Sequence, residues 1–354
     1  MKDVLILNRR CLLHPEKGGA EVYTFELAKA LIEKGARVEW VSSRQKNLKA
    51  EETLEGITFI RKGNELTTHL CGFFYALKRK PSLILDEFNG VGFFTFLMKN
   101  SVVLVHQLYH EFWPAEFGFL GRPLKWMERA SLALYRKKPA ITVSASTNED
   151  LKRLGFKDTT IILNGLDFSP LKRPPEKEKN LTLVFLGRLK KTKNPEDAVK
   201  ALLLVRGSIP NARLWIIGDG PLTKPLKNTY SQIEGIHFSG FVSDVEKYEL
   251  LKKAHLLLVP SIREGWGQVV IQANAVGTPA IGYGVKGLQD SIQDGKTGFL
   301  VKDYSGMAER AIDLWKDPDK YFGTSQNALE WARHFSWEKT KREFISCLER
   351  RGLL

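Results

Sequence analysis

The residues best suited to chemistry are charged side chains that follow two apolar runs typical of buried strands. Arg188 and Lys193 come after residues 181–186, and Glu264 comes shortly after residues 256–259. Fixed cations in such loops can stabilise a diphosphate leaving group, which gains negative charge as its bond to the substrate breaks. The spacing therefore predicts a site that binds a phosphorylated leaving group.

A glycine-rich loop comes directly after Glu264. Residues 265–267 read Gly-Trp-Gly, and glycine lets a ligand approach the backbone because it has no Cβ atom. The apolar run that follows predicts a buried helix that ends at Gly277, just before Pro279. The free N–H groups at the start of such a helix favour binding of a phosphate.

Alternating strands and helices must position these loops. Residues 4–7, a Gly-rich turn, a helix through Ile32 and residues 38–41 form a βαβ unit, and residues 102–105 form a central buried strand. The chain of 354 residues exceeds one ordinary core, so we expect two domains. The Pro-rich, charged residues 169–180 predict the linker between them.

The composition argues against several classes of protein. Hydrophobic residues make up 43% of the chain and charged residues 27%, as in a soluble globular protein. The three cysteines are far apart and form no CxxC motif, so we expect no disulfide framework, no zinc site and a cytoplasmic location. The apolar runs are too short to predict a membrane span or, at the start, a signal peptide.

The net charge of +14 leaves several explanations open. Nucleic acid, an anionic membrane surface or an anionic substrate would each attract such a protein, and the charge could equally serve solubility. Residues 111–138 combine aromatic side chains with arginines and lysines, a composition that suits a membrane interface. The alternative is an ordinary helix whose aromatic side chains lie in the core.

Six short motifs, in order along the chain, resemble those of one family. They are Gly18-Gly19, His106, Asn164-Gly165-Leu166-Asp167, Arg188 with Lys193, Gly218-Asp219-Gly220, and Glu264 with Gln272. The chain resembles the GT-B glycosyltransferases, in particular the retaining group called family 4. That family has a second glutamate where this chain has Gln272. We expect weaker or altered nucleotide preference, because glutamine gives up the charge-assisted hydrogen bond of a carboxylate.

The resemblance implies an α/β fold of the GT-B type, with two doubly wound, Rossmann-like parallel-sheet domains facing a central cleft. Residues 1–168 would form the acceptor-side domain, and residues 336–354 would include a C-terminal helix that crosses back onto it. Residues 181–335 would form the domain that binds the nucleotide-sugar donor.

The resemblance also implies roles for individual residues. His106 and Glu264 would be the catalytic residues, His106 contacting the transferred sugar and Glu264 holding its hydroxyls. Arg188 and Lys193 would grip the donor's diphosphate, which the backbone of Gly18-Gly19 would face. Further donor contacts would come from Phe241 and Val242 to the base, Gln272 to the ribose, and the main chain of Gly265, Trp266, Gly267, Gln268 and Val269 to sugar and phosphate oxygens.

The implied reaction moves a hexose from a UDP- or GDP-sugar to an acceptor hydroxyl, with retention of anomeric configuration. It implies no cofactor and no metal. Residues 317–319 match the Asp-x-Asp pattern of metal-dependent transferases, but we interpret them as a turn.

The expected partners are a lipid-linked or glycan acceptor and an anionic membrane, met through residues 111–138 at the inner face of that membrane. Nucleic acid is not expected. Two alternatives stay open: a nucleotide-sugar epimerase of the same fold, and a nucleic-acid-binding or regulatory protein with a relic site.

Overall fold

Fourteen strands form two separate sheets in the computed structural model, which describes residues 2–354. The strands are β1 (Asp3–Leu7), β2 (Arg37–Ser42), β3 (Glu51–Leu54), β4 (Ile57–Arg61), β5 (Leu83–Glu87), β6 (Ser101–Val105), β7 (Ala140–Thr142), β8 (Thr159–Ile161), β9 (Thr182–Leu186), β10 (Arg213–Ile217), β11 (Ile236–Gly240), β12 (Leu256–Val259), β13 (Ala280–Tyr283) and β14 (Gly298–Val301).

Helices connect most of these strands. They are α1 (Gly19–Glu33), α2 (Thr68–Arg79), α3 (Phe112–Phe117), α4 (Gly121–Tyr135), α5 (Ala145–Arg153), α6 (Pro195–Arg206), α7 (Thr223–Tyr230), α8 (Asp244–Lys253), α9 (Gln268–Asn274), α10 (Leu288–Ser291), α11 (Tyr304–Lys316), α12 (Pro318–Ala332) and α13 (Trp337–Glu349). No helix within residues 2–354 is both long enough and apolar enough to cross a membrane.

The chain divides into two units, each built on one sheet. The first unit comprises residues up to His110, together with Phe119–Gly165 and Trp337–Leu354, and the second comprises Glu111–Gly118 and Leu166–Ser336. Helix α13 is tied to the first unit because Thr340 donates a 2.8 Å hydrogen bond to the carbonyl of Leu163.

The sheet of the first unit has the order β3-β4-β2-β1-β5-β6-β7-β8. All of its neighbouring strands are parallel except the edge pair β3–β4. The central strands β5 and β6 are buried along their whole length, as expected where helices cover both faces of a parallel sheet.

The sheet of the second unit has the order β11-β10-β9-β12-β13-β14 and is entirely parallel. Its core lies on both faces, with one cluster that includes Phe185, Leu202 and Met307 and another that includes Val184, Leu257 and Val270. Both sheets are therefore doubly wound and Rossmann-like, as the sequence predicts.

Each sheet has one point at which the winding direction reverses. In the first sheet, β1 lies between β2 and β5, and in the second, β9 lies between β10 and β12. Ligands of doubly wound sheets bind beside the carboxyl ends of strands at such a reversal. The loops after β1, β5, β9 and β12 are therefore the places to look for function.

Glycines hold the loop after β9 against the end of β10. A Cβ atom on Gly218, whose φ is +129°, would lie 2.0 Å from the carbonyl oxygen of Gly187, and one on Gly220 would lie 2.5 Å from that of Leu189. The N–H of Leu189 donates a 2.9 Å hydrogen bond to the carbonyl of Asp219. The Gly-x-Gly motif here thus serves close backbone packing that fixes the Arg188 loop.

Several placements differ from the sequence prediction, including residues 166–168 and Ser336, which belong to the second unit. Residues 111–118, placed in the first domain by sequence, belong to the second unit. The linker also packs on the second unit, since the half-buried Lys177 ammonium donates to Thr278 Oγ1 at 2.8 Å. Helix α9 ends at Asn274 instead of Gly277, because Thr278 N–H bonds back to the carbonyl of Ala273 and closes the last turn.

Candidate functional site

The loops after β9 and β12 meet at the reversal point of the second sheet. The Lys193 ammonium and the Glu264 carboxylate form an ion pair, and the N–H of Ile262 donates a 3.1 Å hydrogen bond to the carbonyl of Thr192. Side chains that are 71 positions apart in sequence are thereby in direct contact. The structure brings together two of the predicted donor-site residues.

Glu264 lies in a crowded backbone environment. Its N–H donates a 3.3 Å hydrogen bond to the carbonyl of Lys286, and the residue is only 8% exposed. Gly287 has φ +83°, and a Cβ atom there would lie 2.3 Å from the carbonyl oxygen of Glu264. The main chain therefore holds Glu264 in place, and its ion pair with Lys193 compensates for the burial of the carboxylate.

Lys190 is a third cation in this group, which the sequence analysis missed. Burial, together with the neighbouring charges of Lys193 and Arg188, lowers the pKa of Lys190 to about 8. Its ammonium lies 5.1 Å from the centre of the Phe112 ring. Arg188, Lys190 and Lys193 therefore form a group of cations, with the carboxylates of Glu264 and Glu116 nearby.

Helix α3 belongs to this site and not to the first unit. Arg263, 4% exposed, forms a 2.9 Å ion pair with Glu111, and Lys190 packs on Phe112. These two contacts explain why residues 111–118 belong to the second unit, whereas the rest of the segment 111–138 belongs to the first. Sequence alone gave no sign of them, because both depend on partners more than 70 residues away.

The Gly-Trp-Gly loop comes directly before α9, and its tryptophan lies in the core. The Trp266 ring is buried against Phe335, with ring centres 5.4 Å apart. Gly267 has φ +91° and precedes α9, in which Gln268, Val269 and Gln272 are half-buried. Gly265 is also half-buried, whereas Gly267 is buried.

The turn after β11 lies next to the same group of loops. The N–H of Gly218 donates a 2.8 Å hydrogen bond to the carbonyl of Gly240, which joins this turn to the Arg188 loop. Phe241 is 87% exposed, whereas Val242 packs against the core. Both predicted base contacts therefore follow a strand that borders the site.

In the first unit, His106 follows β6 and lies beside Glu87 at the end of β5. His106 Nε2 is 3.2 Å from Glu87 Oε2, and the Glu87 side chain is fully buried. The Tyr23 ring meets the imidazole edge-on, with centres 5.2 Å apart, and its hydroxyl donates to the carbonyl of Ile162 at 3.0 Å. Glu87 and Tyr23 were missed by the sequence analysis, since neither belongs to a motif.

The Gly18-Gly19 loop is tied into the same neighbourhood. Gly18 precedes α1, and its N–H donates a 2.6 Å hydrogen bond to Glu21 Oε2. The buried Glu21 carboxylate also raises the pKa of both His106 and Glu87. One of the two N–H groups predicted to face a diphosphate is therefore occupied by Glu21, while Gly19 borders open space.

The Asp-x-Asp motif lies far along the chain from these loops. Asp317 caps α12, accepting a 3.0 Å hydrogen bond from the N–H of Lys320. Within the described part of the chain, residues 2–354, no group of three or more His, Cys, Asp or Glu side chains is placed to hold a metal ion.

Two family models match the chain in succession. The model described as Glycosyltransferase Family 4 matches residues 17–169, and the model described as Glycosyl transferases group 1 matches residues 170–331. Together they cover the loops after β5, β6, β9 and β12.

Solved structures show the same fold. Sucrose-phosphate synthase from Thermosynechococcus elongatus superposes with a TM-score of 0.80 at 20% identity, covering 99% of both chains. The Anabaena protein HepE, solved in complex with UDP-glucose, gives a TM-score of 0.76 at 17% identity, covering 99% of this chain and 100% of that one. The fold is therefore GT-B, as the sequence resemblance predicts.

Curated relatives share part of the sequence. Glycogen synthase from Mycobacterium tuberculosis is 28% identical over 252 residues, 67% of this chain and 58% of that protein. N-acetyl-alpha-D-glucosaminyl L-malate synthase from Bacillus anthracis is 33% identical over 174 residues, 48% of this chain and 44% of that protein. The chain spans about half the length of the curated relatives that it matches. With both family models and the fold in agreement, the chain belongs to the GT-B group 1 glycosyl transferases.

Proposed function

We propose that the protein transfers a sugar from a nucleotide-sugar donor to an acceptor hydroxyl. The observation that carries this proposal is the group of cations Arg188, Lys190 and Lys193 around Glu264, at the reversal point of the second sheet. Such a group suits a diphosphate, whose charge grows as the bond to the sugar breaks. The UDP-glucose bound to HepE favours UDP as the first nucleotide to test, with GDP as the alternative.

The proposed reaction retains the anomeric configuration by substitution on one face of the sugar. The bond between the anomeric carbon and the diphosphate oxygen breaks, and that oxygen takes the proton of the acceptor hydroxyl. The acceptor oxygen then bonds to the anomeric carbon on the face that the diphosphate leaves. Arg188, Lys190 and Lys193 stabilise the departing charge without a metal ion, and Glu264 accepts hydrogen bonds from sugar hydroxyls.

The remaining donor contacts follow the same proposal. Main-chain N–H groups from Gly265 to Val269 donate hydrogen bonds to sugar and phosphate oxygens. The side-chain oxygen of Gln272 accepts a hydrogen bond from a ribose hydroxyl. Phe241, with its exposed ring, and Val242 border the base. Nucleotide-sugar epimerisation, the alternative of the same fold, would use these contacts too, but it would turn over donor in the absence of any acceptor.

His106 is proposed to donate a hydrogen bond to a hydroxyl of the substrate. Burial alone would lower the pKa of His106, but the Glu87 carboxylate, helped by Glu21, holds it above the ordinary value of 6.5. Burial likewise raises the pKa of Glu87, which His106 opposes. Glu87 thus acts as a positioning residue that raises the pKa of the imidazole and so favours its protonated form, in which both ring nitrogens donate.

We also propose that α4 rests on an anionic membrane surface. Leu120, Met127 and Leu134 are spaced by seven residues, so they lie along one side of the helix, and all three are exposed. Phe119 is 76% and Trp126 is 71% exposed beside them. Aromatic and aliphatic side chains left in water along a helix suit insertion at lipid headgroups.

The polar side chains of α4 fit the same surface. Its core face carries the buried Leu132 and Tyr135, and its exposed basic side chains are Arg122, Lys125 and Arg129. Lysine and arginine next to an apolar stripe are attracted to anionic lipid headgroups. Of the segment 111–138 that the sequence suggested for membrane contact, the part from Phe119 onward carries this proposal, because residues 111–118 pack in the second unit.

Replacing Lys193 tests the donor site. Lys193→Ala should weaken UDP binding about ten- to a hundredfold, because one charge-assisted contact to the diphosphate is lost, and it should slow transfer from UDP-sugar. Titration calorimetry measures the affinity. The control is Lys191→Ala, an exposed lysine of the same turn, which should bind UDP as the wild type does. Equal affinity in the Lys193 variant and the wild type would remove the diphosphate role.

Replacing Glu87 tests its effect on His106. Glu87→Gln keeps the size of the side chain but removes the negative charge, so the pKa of His106 should fall from above 6.5 to below it. NMR titration of the histidine ring signals measures this directly. The control Glu65→Gln alters a carboxylate 3.9 Å from His14 and should leave His106 unchanged. A His106 pKa that is the same with and without Glu87 contradicts the positioning role.

Replacing Trp126 tests membrane contact. Trp126→Ser should lower binding to vesicles that contain phosphatidylglycerol about tenfold, because a large apolar side chain no longer leaves water. Co-sedimentation measures the bound fraction, with vesicles of phosphatidylcholine alone expected to bind weakly. The control Phe322→Ser removes a 51% exposed aromatic side chain of α12 and should bind as the wild type. Undiminished binding of the Trp126 variant rules out α4 as the contact.

A further inference from the structure

The turn that carries Lys193 ends at a residue with unusual backbone geometry. Residues Lys191–Lys193 form one short helical turn, and Asn194, which follows, has φ +49° and ψ +51°. This left-handed conformation is unfavourable for residues other than glycine, although asparagine adopts it more readily than most. Pro195 then begins α6. Whatever holds Asn194 in this conformation therefore also fixes where the Lys193 turn lies relative to α6.

The carboxylate of Asp197, in the first turn of α6, holds Asn194. Asn194 Nδ2 donates a 2.5 Å hydrogen bond to Asp197 Oδ2, and the N–H of Asp197 donates a 3.1 Å hydrogen bond to the carbonyl of Asn194. The amide must direct its nitrogen to the carboxylate, because its oxygen is an acceptor and a carboxylate has no proton to donate. A side-chain and a main-chain hydrogen bond thus both stabilise the left-handed residue.

Tyr283, the last residue of β13, fixes Asp197 in turn. Its hydroxyl donates a 2.7 Å hydrogen bond to Asp197 Oδ2, the same oxygen that accepts from Asn194. The Tyr283 side chain is buried in the core of the second unit, and burial raises the pKa of its hydroxyl, so this group stays a donor. The Lys200 ammonium lies 3.1 Å from the other oxygen, Asp197 Oδ1. A buried strand end thus anchors the start of α6.

The loop after β13 also supports the other member of the ion pair. The carbonyl of Lys286 accepts the N–H of Glu264, and Gly287 lies against the carbonyl of Glu264. On the opposite side, Tyr283 reaches the Lys193 turn through Asp197 and Asn194. The segment from Tyr283 to Gly287 therefore holds both partners of the ion pair in place.

We propose that Asp197 and Tyr283 are positioning residues for the donor's diphosphate, acting through Asn194 on Lys193. They do not bind the ligand. They hold the Lys193 ammonium beside Glu264, so that its charge is in place before the diphosphate begins to leave. Charge that is already ordered stabilises a leaving group without reorganisation during the reaction. This inference rests on the proposed glycosyl transfer, because it requires that Lys193 bind a diphosphate.

The chain offers a matched pair of tyrosines for the test. Tyr283→Phe removes the hydroxyl bonded to Asp197, and Tyr230→Phe removes a hydroxyl that donates a 2.9 Å hydrogen bond to Glu196 Oε1 in the same turn of α6. Titration calorimetry should show UDP binding about fivefold to tenfold weaker in Tyr283→Phe, because Lys193 is less well placed. Tyr230→Phe should bind UDP as the wild type does. Uridine, which has no phosphate, should bind equally to all three proteins, and GDP with guanosine replaces this pair if the wild type prefers GDP.

A double variant shows whether Tyr283 acts through Lys193. In the Lys193→Ala background, Tyr283→Phe should cause no further loss of UDP affinity, since the side chain that it positions is absent. A loss of the same size in both backgrounds, or an equal loss of uridine affinity, would mean that the hydroxyl serves the fold alone and would overturn the inference. Unchanged UDP affinity in Tyr283→Phe would overturn it too, while UDP binding that depends on Lys193 would still support the proposed function.

Two changes at Asn194 give an answer even if Tyr283→Phe fails to fold. Asn194→Gly permits the left-handed conformation but loses the bond to Asp197, whereas Asn194→Ala also opposes that conformation. UDP affinity should therefore decrease from the wild type to Asn194→Gly and again to Asn194→Ala. Wild-type affinity in Asn194→Ala contradicts the positioning role. A wild-type protein that binds neither UDP nor GDP contradicts the proposed function itself, and this role with it.

Discussion

The ion pair between Lys193 and Glu264 is the constraint on which the proposed donor site depends. It joins the loop after β9 to the loop after β12. These two loops are neighbours because the winding of the second sheet reverses between β9 and β12. Glu264 is nearly buried, so its carboxylate needs a cation there. The glycines at 218, 220 and 287 let the surrounding backbones approach closely enough to fix the pair. Lys190 and Arg188 then add positive charge that Glu264 alone does not balance.

The two sheets use the same principle with different chemistry. Each places charged side chains on the loops at its reversal point, where helices cannot cover the strand ends. In the second unit, Arg188, Lys190 and Lys193 lie near the carboxylates of Glu264 and Glu116, and such a group of cations suits a diphosphate. In the first unit, Glu87 raises the pKa of His106, and Arg9 lacks an ion pair within residues 2–354. Part of the net charge of +14 is thus located at sites where anions are expected, and part on the exposed face of α4.

Sequence patterns predicted the family, the fold and the local positions of Arg188, Lys193, Glu264 and His106, because strand ends and glycine turns are encoded by neighbouring residues. They could not predict Lys190 against Phe112, or Glu87 beside His106, since those contacts join segments that are distant in the chain. For the same reason the segment 111–138 was treated as one piece, although it is divided between the two units. The roles assigned to the site residues stay predictions until a ligand is bound.

The most direct measurement compares the affinities of UDP, UMP and uridine for the wild-type protein by titration calorimetry at two salt concentrations. If Arg188, Lys190 and Lys193 bind the diphosphate, affinity should fall by about a hundredfold or more from UDP to uridine, since several charge-assisted hydrogen bonds are lost. Added salt should weaken UDP binding and leave uridine binding nearly unchanged. Uridine that binds as tightly as UDP, with no effect of salt on either, would contradict the account.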